Sequence, residues 1–138
     1  MTRRHSLLAG AILIAAVASA ILVAAVASAT ASEPSMLGRW ARGDGKARVR
    51  VERCGSAICA INTWIRPGDA KEKVGDKLVL NLNSVGARQW TGQAFDPQRN
   101  RRYRVKIDVA QRSMNTKGCV WGGLLCKTMT WTRLGPAN

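Results

Sequence analysis

Four cysteines are the residues of this chain with the clearest chemistry, and they occur as one Cys-x4-Cys pair and one Cys-x6-Cys pair. Each pair, Cys54 with Cys59 and Cys119 with Cys126, straddles a predicted hairpin turn. Facing positions on antiparallel strands lie within disulfide distance, so this pairing is the most economical of the three that four cysteines allow. No Cys-x-x-Cys spacing is present, and we therefore expect disulfides and neither a metal site nor redox catalysis.

Other catalytic groups are incomplete. The only histidine is His5, so the serines further along the chain lack the usual general base. Glu52 and Asp108 fall on polar strand faces, and the acids of residues 66–76 lie among lysines, a pattern typical of solvated charges. We predict a protein that is not an enzyme and uses no cofactor. An enzyme acting on cell-envelope material is the alternative, which a carboxylate pair converging in a pocket would favour.

The first 31 residues have the pattern of a secretory signal peptide. Arg3 and Arg4 precede an uncharged stretch over residues 7–26, and small residues at 27–31 offer cleavage sites. We predict a signal helix within residues 1–31 and one domain over residues 32–138, located in the periplasm or secreted. An uncleaved membrane anchor is the alternative, and the arginine pair does not decide between the general and twin-arginine export routes.

The exported chain would be strongly basic. Loss of Arg3 and Arg4 lowers the formal net charge from +14 to +12, because all eight acids lie downstream. Basic residues that alternate with apolar ones on two predicted strands are candidates for binding an anionic envelope surface. They are Arg48, Arg50, Arg102, Arg104 and Lys106. The plainer interpretation is a solvated outer sheet face, and export argues against nucleic acid as the partner.

Apolar and polar residues alternate with a period of two through the rest of the chain, which predicts strands and not helices. The predicted strands cover residues 37–41, 47–53, 58–65, 78–82, 89–95, 102–109, 113–120 and 127–134, with a long polar loop at 66–76. Eight short strands joined by turns favour an antiparallel barrel or a compact sandwich. Closure into a barrel would remove exposed strand edges.

Five tryptophans in so short a chain either fill the interior of a barrel or line a cavity for an apolar ligand. A short chain has little volume to leave empty, which favours filling. The aromatic residues that would line such a cavity are Trp64, Trp90, Tyr103 and Trp131.

Taken together, these features resemble a bacterial family of small exported proteins known as domain of unknown function 2147. The resemblance spans residues 37–134 and is carried by Gly38-Arg39-Trp40, Arg53-Cys54-Gly55, Trp90-Thr91-Gly92, Asp96-Pro97 and Thr130-Trp131-Thr132-Arg133, among others. It implies a lipocalin-like β-barrel and no known activity. It also implies closure of one barrel end by Gly38, Trp40 and Arg133, with the arginine stacked on the tryptophan.

We therefore expect an all-β protein, a small antiparallel lipocalin-like barrel of about eight strands. Its expected function is to bind a small apolar or amphipathic ligand or an anionic envelope surface. A structural protein-interaction module is a further alternative, and the sequence identifies neither the ligand nor the partner.

Overall fold

The alternating segments fold into eight antiparallel strands, each of which pairs with the next while β8 returns to β1 and closes the barrel. A computed structural model describes residues 34–135 of the chain. Its strands are β1 Gly38–Arg42, β2 Ala47–Cys54, β3 Ala57–Ile65, β4 Lys77–Gly86, β5 Gln89–Asp96, β6 Arg101–Val109, β7 Ser113–Val120 and β8 Leu125–Leu134. The predicted eight-stranded barrel is confirmed, whereas the predicted signal helix lies outside the described residues.

The connections between strands alternate between two ends of the barrel. One end, which we call the open end, carries the connections 43–46, 66–76, 97–100 and 121–124. The other, which we call the closed end, carries the start of β1, the connections 55–56, 87–88 and 110–112, and the end of β8. Among residues 34–135, no helix is long and apolar enough to cross a membrane.

Inward-facing apolar side chains form the core, as the period-two pattern requires. Trp40 is completely buried, and Val49, Val51, Leu80, Ile107, Val109 and Met114 are among the buried residues that pack with it. The side chains that alternate with them on β2 and β6, among them Arg48 and Lys106, face solvent. Burial of these apolar side chains contributes on the order of 1.5–3 kcal/mol each.

Both predicted disulfides, Cys54 to Cys59 and Cys119 to Cys126, are confirmed, and they account for all cysteines of residues 34–135. The first spans the turn between β2 and β3 at the closed end, and the second spans the connection between β7 and β8 at the open end. Two disulfides are consistent with an oxidising compartment.

Two strands run further than their sequence pattern indicates. Strand β4 continues to Gly86 instead of ending at residue 82, because its polar second half still pairs with β5 through Ser84 opposite Trp90. Strand β8 begins at Leu125, since pairing with β7 extends to Val120 opposite Leu125. In both cases the neighbouring strand supplies hydrogen bonds that side-chain alternation does not record.

Candidate functional site

Trp40 and Arg133 close one end of the barrel. The guanidinium carbon of Arg133 lies 4.1 Å from the centroid of the Trp40 ring, a cation–π contact. The indole N–H of Trp40 donates a hydrogen bond of 2.9 Å to the carbonyl of Met36. The guanidinium of Arg133 donates to three backbone carbonyls, those of Ser35, Leu37 and Gln111. These contacts tie the lead-in segment and the β6–β7 turn into one plug.

Gly38 makes room for that plug. Its φ of +123° is a conformation that side chains other than glycine rarely adopt, and a Cβ there would lie 3.0 Å from the Nη1 atom of Arg133. Any larger residue would therefore be strained by this φ, and its Cβ would press on the guanidinium of Arg133. The arrangement of Gly38, Trp40 and Arg133 is the one that the family resemblance implied.

Above the plug the barrel encloses a cavity of about 630 Å³, which reaches the open end. This volume lies within the range of small-molecule sites. Tryptophans therefore fill the interior only in part: Trp40 lies in the core, and Trp90 and Trp131 pack against it. Small residues face inward at Ala60, Ala94 and Gly118, and they leave the space that larger side chains would have occupied.

Two of the four aromatic residues predicted to line a cavity do so, namely Tyr103 and Trp131. The indole N–H of Trp131 donates a hydrogen bond of 3.0 Å to Thr116 Oγ1, so its polar atom is already partnered. Trp90 instead packs against the core, close to the closed end, and is not part of the cavity wall.

Trp64 lies on the outside of the barrel, contrary to the prediction. A register shift between Arg48 and Val49 of β2 leaves Thr63 without an opposite residue and places Trp64 opposite Arg48. Such a bulge reverses which face the following side chain occupies. Trp64 therefore points outward, where the Arg48 guanidinium lies 5.3 Å from its ring centroid.

The mouth of the cavity is organised by two arginines, of which Arg42 is the more buried. Arg42 Nε donates to Asp44 Oδ1 at 2.9 Å, and its Nη1 donates to both carboxylate oxygens of Glu72, at 2.9 and 2.8 Å. Burial alone would lower the pKa of Arg42, but its two carboxylate partners raise it overall. Burial would raise the pKa of Asp44, but hydrogen bonds from Arg42 and from the Lys46 backbone N–H lower it overall.

Arg99 holds the opposite part of the 66–76 loop. Its Nη1 donates to Asp96 Oδ2 at 2.8 Å, and its Nη2 contacts Asp76 Oδ2 at 3.3 Å and the carbonyl of Lys71. The hydrogen bond to the Asp96 carboxylate is the main cause of a raised pKa for Arg99. Together Arg42 and Arg99 fix the loop as one wall of the mouth, a role that the reading of its acids as solvated charges missed.

Further cations line the mouth without an ion-pair partner among residues 34–135. They are Lys46, Lys71, Lys77, Arg101 and Lys127. Because the acids of the mouth are bound mainly by Arg42 and Arg99, these side chains leave the mouth with a surplus of positive charge above an apolar interior. No sequence motif indicates this set of cations, because its members come from five separate stretches of the chain.

The basic residues predicted as one anionic-surface patch do not share a surface. Strands β2 and β6 are four strands apart in a ring of eight, so they lie on opposite sides of the barrel. On β2, Arg48 covers Trp64 and Arg50 pairs with Glu52 at 2.8 Å. On β6, Arg102 lies over Phe95, and Lys106 faces Lys117 of β7. The two groups of basic residues therefore do not form one continuous patch.

Carboxylates do converge at the mouth, in two pairs: Asp44 with Glu72, and Asp76 with Asp96. Each pair shares one guanidinium, and the pKa of Asp44 is lowered. Within residues 34–135, no three His, Cys, Asp or Glu side chains form a group that could hold a metal ion. The acids thus build the wall of the mouth more readily than they supply proton transfer.

Comparison with known proteins adds the family. The model of a family described as "Uncharacterized protein conserved in bacteria (DUF2147)" matches residues 38–133. No curated protein and no solved structure matches the chain. The match begins at Gly38 and ends at Arg133, so it includes Trp40, Arg133 and every residue that lines the cavity except Met36.

Proposed function

Because this chain belongs to that uncharacterised bacterial family, its function rests on its own geometry, and we propose that it is an exported binding protein that takes a small amphipathic anion into its barrel. One observation carries the proposal, the cavity of about 630 Å³ that is apolar in its depth and cationic at its mouth. An apolar tail would lie against Val51, Ile107 and Met114, and an anionic head group would remain among the lysines of the mouth.

The energetics favour this division of the ligand. Each methylene transferred from water into the cavity contributes about 0.8 kcal/mol. The head group stays at the solvent boundary, where Lys71 and Lys127 can pair with it without a large desolvation cost. Arg133 and Trp40 block the other end, so the ligand enters and leaves only through the mouth.

An enzyme acting on envelope material is the competing proposal, and the paired carboxylates of the mouth are the observation that favours it. A carboxylic acid that donates a proton near neutral pH needs a raised pKa. Burial would raise the pKa of Asp44, but the hydrogen bonds from Arg42 and from the Lys46 backbone N–H, with the charges of both residues, together lower it. We therefore propose binding without catalysis.

We also propose the periplasm or the extracellular medium as the location. The signal-peptide pattern of residues 1–31 and the two disulfides support export into an oxidising compartment. Both locations give the protein access to envelope lipids and their breakdown products, which supply amphipathic anions.

Titration with dodecanoate, followed by tryptophan fluorescence and calorimetry, tests the proposal. A Cβ at Gly118 would meet no atom within 4 Å, so Gly118→Leu adds its side chain to the cavity without a clash. We expect Gly118→Leu to weaken dodecanoate binding by about tenfold or more. Thr128→Leu, which adds a similar side chain to the exposed outer face of β8, is the matched control and should bind as the parent does.

The head-group contacts have their own control. Lys127→Gln should weaken the binding of dodecanoate and leave the binding of dodecanol unchanged, because the alcohol has the same tail and no charge. Absence of dodecanoate binding at millimolar concentration, or equal binding by the parent and Gly118→Leu, would show that the barrel interior is not the site.

A further inference from the structure

The connection between β7 and β8 carries apolar side chains that nothing in the described chain covers. Trp121 is 78% exposed, Leu124 89% and Leu125 58%. We call residues 121–125 the apolar tip. Single exposed apolar residues are common on protein surfaces, but three large ones within five residues mark an interaction site.

The backbone presents the tip outward. Trp121 has a φ of 51°, rare for a residue other than glycine, and Gly122 and Gly123 follow with φ values of 67° and 95°. The Cys119 to Cys126 disulfide joins the two strands directly beneath. The tip is therefore a fixed projection at the open end, and its apolar side chains remain exposed in a conformation that itself costs free energy.

The charge around the tip indicates what it contacts. Residues 101–135, which form β6, β7 and β8, contain eight basic residues and one acid, Asp108. Arg104 of β6 lies opposite Cys119, which precedes the tip in β7. Further from the tip, Lys106 of β6 lies opposite Lys117 of β7. Asp108 lies beyond them toward the closed end. A tryptophan and two leucines bordered by cations match an anionic bilayer, whose interface favours tryptophan and whose head groups attract lysine and arginine.

We propose that the apolar tip inserts into the interface of an anionic lipid bilayer and docks the barrel with its mouth toward the membrane. A further exposed apolar residue, Val74 at 65%, lies in the 66–76 loop. That loop and the tip belong to the same end of the barrel and are four strands apart in the ring, so they flank the mouth from opposite sides. The docking goes beyond the proposed ligand binding and does not depend on it.

Co-sedimentation with lipid vesicles tests the docking. The protein is produced in a bacterial host that exports it, and the exported form is used. We expect binding to vesicles of equal parts phosphatidylglycerol and phosphatidylcholine, and much weaker binding to phosphatidylcholine alone. The double substitution Trp121→Ser with Leu124→Ser should weaken binding by about tenfold or more. Val85→Ser, which changes an exposed valine at the closed end, is the matched control and should bind as the parent does.

A second measurement separates insertion from attraction by charge alone. Lipids brominated in their tails should quench part of the tryptophan fluorescence of the parent. Trp121→Phe should still sediment with the vesicles but lose that quenching, because phenylalanine keeps the apolar contact and removes the inserted indole. All variants should retain two disulfides and the melting temperature of the parent, since the altered side chains are exposed.

Three results would overturn the proposal. The first is the absence of sedimentation with either kind of vesicle, and the second is equal sedimentation of the parent and the double variant. The third is vesicle binding with no quenching by brominated tails, which would leave only electrostatic attraction of the basic strands. A cross-link from Trp121 to an envelope protein without vesicle binding would make the tip a protein interface.

Discussion

Arginines organise both ends of the barrel, but their partners differ. At the closed end Arg133 is buried against Trp40 and three backbone carbonyls, with no carboxylate bound to it among residues 34–135. At the open end Arg42 and Arg99 bind side-chain carboxylates. Carbonyls and an indole do not titrate, whereas carboxylates do. The contacts of the plug therefore do not depend on carboxylate ionisation, whereas those at the open end do, and pH, salt or a competing anion can weaken them.

The two disulfides divide in the same way. Cys54 to Cys59 holds the β2–β3 turn at the closed end, and the turn residues, Gly55 and Ser56, carry no large apolar side chain. Cys119 to Cys126 holds the hairpin that carries the apolar tip at the open end. The first disulfide thus stabilises the fold, whereas the second also holds the apolar tip in place.

The largest effect should come from removing Trp40, the aromatic member of the plug. Trp40→Ala empties a completely buried site and should lower the free energy of unfolding by about 3–5 kcal/mol. Urea denaturation monitored by circular dichroism measures it. Trp64→Ala is the matched control and should cost less than about 1 kcal/mol. Equal losses in the two variants would contradict the assignment of Trp40 to the core.

The next largest effect should come from removing Arg133, the cationic member of the plug. Arg133→Ala should cost about 2–3 kcal/mol, because it removes a cation–π contact and leaves three carbonyls without their donor. Arg42→Ala should cost only about 1 kcal/mol, since its carboxylate partners can turn to solvent. Denaturation of both variants at neutral pH compares the two ends, and a larger loss from Arg42→Ala would reverse the comparison.

Removing either disulfide should cost about 2 kcal/mol, because both close short loops. The two losses should differ in their consequences for binding. Replacing Cys119 and Cys126 by serine should also weaken vesicle binding, whereas replacing Cys54 and Cys59 should leave it unchanged. Denaturation combined with vesicle sedimentation checks both statements. Equal vesicle binding by the two double variants would show that the staple does not shape the apolar tip.

Acid should produce the smallest effect, and it should act at the open end. The pKa of Asp44 is lower in the folded chain than its ordinary value of 3.8, because the effect of burial is exceeded by the combined hydrogen bonds and positive charges of Arg42 and Lys46. A lowered carboxylate pKa stabilises the fold at pH values above the unfolded pKa, and this contribution disappears as the pH falls through the folded pKa.

Unfolding measured between about pH 6 and pH 2 should therefore show a loss that begins near pH 4 and, for this partly exposed group, amounts to at most about 1 kcal/mol. Asp44→Asn should reduce the acid-dependent part of the curve, and a remainder should persist because the pKa of Asp69 is also lowered, chiefly by the hydrogen bond from the Lys71 backbone N–H. Arg133→Lys should shift the whole curve without changing its shape, because the closed end contains no carboxylate bound to this side chain. A changed dependence of the unfolding free energy on pH in Arg133→Lys would show that the stability of the plug also depends on pH.

Local pattern was enough to predict most of the scaffold. Strand β6 reads directly from the alternation of Tyr103, Val105 and Ile107 with basic residues, and both disulfides join cysteines across predicted hairpin turns. These features depend on residues that are close in the chain, where backbone geometry and side-chain period leave few alternatives.

Only the tertiary structure decided what the barrel offers a partner. A one-residue bulge moved Trp64 to the outside, and the pair formed by Arg42 and Glu72 joins residues 30 positions apart. The cavity exists because Ala60, Ala94 and Gly118, from three different strands, face one interior. The sequence by itself determined the number and order of the strands and favoured the disulfide pairing that the structure shows, because these features involve residues close in the chain. The cavity, its cationic mouth and the separation of the two basic faces depend on closure of the ring, which no single strand encodes.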